Sequence, residues 1–111
     1  MRSLVFGTSD DVEALILQLY KQKLDIDFEN DYYLNIPPPP KEDTTIDYGS
    51  SVVSGLFVDL SEELVEAILR WLKEKKKLSN PNLEISIDGN LVNVNVRVME
   101  RLLKVLKRHG K

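Results

Sequence analysis

Apolar residues recur along this chain with two different spacings, and the switches between them mark out its elements. Residues 2–6, with Leu4, Val5 and Phe6 in a row, read as a short first strand, which Gly7-Thr8-Ser9 breaks. Val12, Leu15, Ile16, Leu19 and Tyr20 follow at i, i+3, i+4, i+7 and i+8, which predicts an amphipathic helix burying one stripe and ending near Lys23. Ser9 stands where an N-cap belongs, and Asp10, Asp11 and Glu13 bring negative charge to the first turn. After an acidic, irregular stretch, Tyr32-Tyr33-Leu34-Asn35-Ile36 has the aromatic and β-branched content of a second strand. Prolines 37–40 end it, since they donate nothing to a ladder and favour an extended, left-handed helix.

The second half opens on a small, apolar segment, residues 50–58, expected to be helical with an interruption at Gly55. A further helix starts at Ser61-Glu62-Glu63, with Asp59 or Ser61 as cap. Leu64, Ile68, Trp71 and Leu72 form its stripe, widened by Val65 and Leu69, so Trp71 is expected in the core. Arg70, Lys73, Lys75, Lys76 and Lys77 crowd its last turns, where positive charge complements the helix dipole, and Asn80-Pro81 stops it. Leu83-Glu84-Ile85-Ser86-Ile87 then alternates with a period of two, Asp88-Gly89-Asn90 is a hairpin turn, and Val92-Asn93-Val94-Asn95 alternates again. Leu83, Ile85, Ile87, Val92 and Val94 are expected inside. Asn95 can cap a last helix whose stripe is Met99, Leu102, Leu103 and Leu106, with Arg101, Lys104, Lys107 and Arg108 toward solvent.

The resulting order is β-α-β-α-β-β-α. It predicts an α+β fold: a small two-layer sandwich with a mixed sheet and helices packed on one face. A first β-α-β unit would pair two parallel strands through a right-handed crossover. The chain of 111 residues is a single domain, residues 1–111, with an internal Pro-rich connector at 37–49, because neither half alone is long enough to build a good core.

Composition removes whole classes of chemistry. Cysteine is absent, which excludes disulfides, thiolate metal sites and a cysteine nucleophile. The one histidine, His109, sits among the last residues, where chains fray, so a Ser-His-Asp triad has no sound base. A net charge of −3 argues against a dedicated nucleic-acid binder, yet the charge is unevenly placed. Residues 1–48 hold 4 Lys/Arg against 10 Asp/Glu, and residues 49–111 hold 11 against 8, so a −6 half joins a +3 half. Such asymmetry suits either two solvated faces or association with a second copy or an acidic partner. Asp10 and Asp11 interrupt the only candidate signal peptide, and five charges within residues 52–72 exclude a membrane span there, so a cytoplasmic protein is expected.

Few motifs carry chemistry. Asp25, Asp27, Glu29 and Asp31 alternate like the start of a calcium loop, but Asn30 stands at the sharp-turn glycine and Ile36 at the bidentate glutamate. Gly49-Ser50-Ser51 lacks the lysine and second glycine of a phosphate loop. No catalytic residue, cofactor or metal is expected. Two surfaces stand out instead. The segment Val52, Val53, Leu56, Phe57 and Val58 is more apolar than a surface helix needs, which fits a buried central helix or a partner interface. Arg70, Lys73, Lys75, Lys76 and Lys77 form a candidate basic patch.

Taken together, the segments resemble the effector-associated constant component family, small proteins of bacterial conflict systems. The likeness lies in the acidic-capped helix from Asp11 to Tyr20 and the Pro-rich connector. It lies also in the apolar segment closing in Ile68-Leu69-Arg70-Trp71-Leu72-Lys73 with its basic tail, and in the Ile87-Asp88-Gly89 hairpin leading into a leucine-rich helix. The chain differs in carrying Asp59, Glu62, Glu63 and Glu66 in the third of these segments, and lysines in place of arginines. The resemblance implies a non-enzymatic adaptor or regulatory subunit encoded beside an effector such as a caspase-like or trypsin-like peptidase. Its partner would be that effector or an adaptor of the same anti-phage system, and homo-oligomers would be compatible with this. The alternatives are a nucleic-acid-associated, antitoxin-like regulator working through Arg70 and Lys73–Lys77, or a small metal- or ligand-binding enzyme.

Overall fold

A computed structural model describes residues 2–36, 52–74 and 81–109. It contains β1 (Arg2–Thr8), α1 (Ser9–Lys21), α2 (Phe28–Asp31), β2 (Tyr32–Leu34), β3 (Val53–Asp59), α3 (Glu62–Glu74), β4 (Leu83–Ile87), β5 (Asn90–Asn93) and α4 (Val96–His109). The five strands form one sheet in the order β2-β3-β1-β4-β5, and every neighbouring pair is antiparallel. The fold is α+β, a sheet with its helices layered against one face. The Pro-rich connector at 37–49 and Lys75, Lys76 and Lys77 lie outside the described residues.

Three expectations about the sheet need correction. It is wholly antiparallel, not mixed. Residues 53–59 are a strand, not a helix, and β1 and β2 are not paired. The causes are linked. β1 and β2 do run in the same direction, as a β-α-β unit should, but β3 lies between them and turns each contact antiparallel. In the same way β1 separates β3 from β4 across the α3 crossover. The result is two interlocked split β-α-β units, the ferredoxin-like arrangement, extended by the β4–β5 hairpin and α4.

The strand pairing places Tyr32, Leu56, Val5, Ile85 and Val92 in one cross-sheet row. These side chains belong to the core that Val12, Leu15, Ile16 and Leu19 of α1, seven residues of α3, and Met99 and Leu102 of α4 complete. α3 lies between α1 and α4 and is buried along most of its surface, Trp71 included, as its wide stripe predicts. Alternation in β3 sends Leu56 and Val58 into this core and Gly55 and Phe57 to the opposite face. That face is not simply wet. Phe6 and Glu84, neighbours across β1 and β4, are both buried there, although period-two alternation alone would leave Glu84 outward.

Helix ends follow the local chemistry closely. The Ser61 hydroxyl accepts from the Leu64 N–H at 3.2 Å, and Asn95 Oδ1 accepts from the Val98 N–H at 2.9 Å, so both expected caps form. Ser9 does not cap α1. Thr8 occupies that position without a side-chain cap bond, its hydroxyl donating to Asp11 Oδ2 at 2.9 Å, while the Ser9 hydroxyl is engaged with Val52 and Ser54. α1 stops where Lys23 adopts φ +64° and the Leu24 N–H donates back to the Leu19 carbonyl at 3.0 Å, a left-handed cap without glycine. In the hairpin, Ile87 pairs with Asn90, and Asp88 and Gly89 both take positive φ, the geometry the Asp-Gly pair favours.

Candidate interaction site

β3 is the element that builds the sheet's outer face. Phe57 points away from the helices and is 36 % exposed. Tyr33, on the edge strand β2, meets it edge-on with ring centroids 6.0 Å apart. The Arg2 guanidinium lies 5.7 Å from the Phe57 ring centroid, within cation–π range. Arg2 is itself held by a two-pronged pairing with Asp31, Nη1 to Oδ2 at 3.2 Å and Nη2 to Oδ1 at 2.5 Å. That hydrogen bond is the main cause of an upward shift in the Arg2 pKa. Leu4 stands opposite Phe57 in the register, and Ile36 lies over Gly55, where a Cβ would come within 2.6 Å of the Ile36 Cδ1. The outcome is a Phe57 ring flanked by Arg2 on β1 and Tyr33 on β2, on a partly apolar floor.

Burial divides the candidate interface residues, and alternation within β3 sets Leu56 and Val58 apart from Phe57. Val53, Leu56 and Val58 are buried, while Val52 and Phe57 are exposed. In the candidate basic patch, Arg70 donates from Nε to Gln22 Oε1 at 2.8 Å, and Lys73 lies 3.8 Å from Glu100. Both tie helix to helix at the surface. The sequence did not single out Arg2 or Tyr33. Their joint role becomes visible only when Arg2 is registered against Asp59 and Tyr33 against Gly55.

A second polar arrangement joins α1, β2 and β3. The Tyr32 hydroxyl reaches Glu13 Oε2 at 3.0 Å and the Ser54 hydroxyl at 3.1 Å; Ser54 in turn meets Ser9 Oγ at 2.6 Å, and Ser9 Oγ donates to the Val52 carbonyl at 3.1 Å. Burial, with the nearby Glu13 carboxylate, raises the Tyr32 pKa, while Ser54 opposes the rise. A phenol kept protonated by these surroundings orients neighbours and is a poor base. The network fastens β2 and β3 to α1.

The acidic segment does structural work too. Asp27 accepts from the Asn30 N–H at 3.2 Å and from its side-chain amide at 2.8 Å, capping α2, and Asp31 is taken by Arg2. Among the described residues no three His, Asp or Glu side chains converge as a metal site. Among them, too, no helix is long and apolar enough to cross a membrane. No family model, curated protein or solved structure matches the chain.

Proposed function

We propose that the chain is a non-enzymatic interaction component of a bacterial conflict system, coupling to a separate effector such as a caspase-like or trypsin-like peptidase. The observation that carries this reading is the exposed Arg2–Phe57–Tyr33 cluster on the sheet face turned away from the helices. Arginine and aromatic side chains are the residues most enriched at the energetic centres of protein interfaces. Here the sheet beneath them holds them in place, so little side-chain freedom remains to be lost on binding. The Ser9, Ser54 and Tyr32 hydroxyls are engaged in fastening β2 and β3 to α1, which supports recognition as the use of the sheet's outer face.

The test is co-purification of the tagged chain from its native host, wild type beside Phe57→Asp. An effector, adaptor or NTPase of the same system should accompany the wild type and be lost from the variant. Recovery of no such partner, or equal recovery with Phe57→Asp, overturns the reading.

A further inference from the structure

The helix layer has chemically opposite edges. α3 packs against both α1 and α4, which makes those two the outer helices. Beside α1 a cleft of about 820 Å³ opens toward residues 25–29. Leu17, Tyr20 and Phe28 line it and remain 57 %, 45 % and 40 % exposed, three large apolar groups left in water beside one another. Glu13, Asp25, Asp27 and Glu29 stand around them.

At the other edge, α4 exposes Arg97, Arg101, Lys104, Lys107 and Arg108, with Glu100 as its one acid. At 3.6 residues per turn, Arg97, Arg101, Lys104 and Arg108 fall within about 60° of arc, a basic stripe about 16 Å long. Glu100 faces Lys73 of α3. On the far side of the stripe lies Val105, a large apolar residue that is 48 % exposed. The stripe with its single apolar neighbour is the chemical complement of the acid-rimmed apolar cleft.

We propose that the cleft beside α1 of one molecule receives α4 of a second copy. Val105 seats on the Leu17–Tyr20–Phe28 floor, and Arg101, Lys104 and Arg108 meet the carboxylates of Asp25, Asp27 and Glu29. Like edges repel, so a symmetric face-to-face contact is disfavoured and the association is head to tail, each copy offering one edge of each kind. The sheet face with Phe57 is not consumed. The inference therefore goes beyond the preceding reading, and assembly would array that face in several copies, raising its avidity for a partner.

Two neutralised variants test it. In the first, Arg101, Lys104 and Arg108 are changed to Gln. In the second, Leu17→Ser is combined with Asp25→Asn and Glu29→Gln. All six positions are exposed, and circular dichroism checks that both variants keep the fold. Sedimentation at an ionic strength on the order of 0.05 M should show the wild type associating with rising concentration, and association should fall away near about 0.5 M. Each variant alone should be monomeric. Their equimolar mixture should form a one-to-one dimer and nothing larger, because only one working edge remains on each. A wild type that stays monomeric at low salt overturns the proposal, as does association that survives either set of changes. Capture of a foreign basic peptide in the cleft, or of duplex nucleic acid on α4, by a wild type that remains monomeric also overturns it. Phe57→Asp should leave the association intact, which separates this result from the test of the sheet face.

Discussion

The hydroxyls of Ser9 and Ser54 lie 2.6 Å apart, joining the first turn of α1 to the middle of the sheet across 45 positions of sequence. Ser54 is fully buried and also meets the Tyr32 hydroxyl. Ser54→Ala should cost only about 1 kcal/mol, because Ser9 keeps the Val52 carbonyl and Tyr32 keeps Glu13. Ser54→Val should cost roughly 2–3 kcal/mol, since it faces both hydroxyls with methyl groups in a filled site. Denaturant titration of the two variants measures the difference. Equal losses would mean that the hydroxyl itself, not the shape of the site, carries the stability.

Tyr32 gives the network a pH signature. Its pKa is raised above the ordinary 10.0, chiefly by burial, so the folded state binds the phenol proton more tightly than the unfolded chain does. The stability this contributes is fully present below pH 10 and is lost as pH rises through the higher folded value. Ultraviolet titration of the four tyrosines should show a late-ionising component that Tyr32→Phe removes. An unchanged titration curve in the variant would contradict the assignment.

Two backbone positions should respond in opposite ways to small substitutions. A Cβ on Gly7 would lie 2.2 Å from the Asn82 carbonyl oxygen and 2.6 Å from Leu83 Cδ2. Because a main-chain atom blocks the space, Gly7→Ala must part β1 from the start of β4, and should cost roughly 3 kcal/mol. Lys23 holds a left-handed φ of +64° at the end of α1 without glycine's freedom. Lys23→Gly should therefore stabilise the protein by roughly 0.5–1 kcal/mol. Thermal unfolding of both variants checks the signs.

The sequence made the local elements legible wherever side-chain period and end chemistry agreed. Ser61 and Asn95 each combine a capping side chain with an apolar stripe beyond it, and both cap as read. Asp88-Gly89 supplies the two positive φ angles that a tight hairpin needs. Ser9 carried the same capping signal, but the Ser54 hydroxyl and Val52 carbonyl that draw it away are more than forty residues distant. Residues 53–59 were ambiguous for a related reason. One face of this strand is core and the other carries Gly55 beneath Ile36 and a half-buried Phe57, so the segment is apolar on both sides and loses its period-two contrast. With β3 hidden, the antiparallel order of the sheet was hidden as well. The sheet-face cluster was less legible still, since Arg2, Tyr33 and Phe57 meet only through register.

Strand alternation in β3 can be tested directly, and the test protects the use of Phe57 variants as functional probes. Leu56 and Val58 point into the helix-facing core and are almost fully buried, whereas Phe57 between them is more than a third exposed on the other face. Leu56→Ala should cost roughly 2–5 kcal/mol, and Val58→Ala somewhat less because fewer methyl groups are removed. Phe57→Ala loses an edge contact with Tyr33 and a cation–π contact with Arg2, both solvent-facing, and should cost about 1 kcal/mol. A helix through these residues would not produce a high–low–high pattern at consecutive positions, because neighbours there are separated by about 100°. If denaturant midpoints fall in that pattern, β3 is established in solution, and loss of a partner on Phe57→Asp reports on the surface and not on the fold. Three comparable losses would place Phe57 inside, and the proposed interaction face would have to be abandoned.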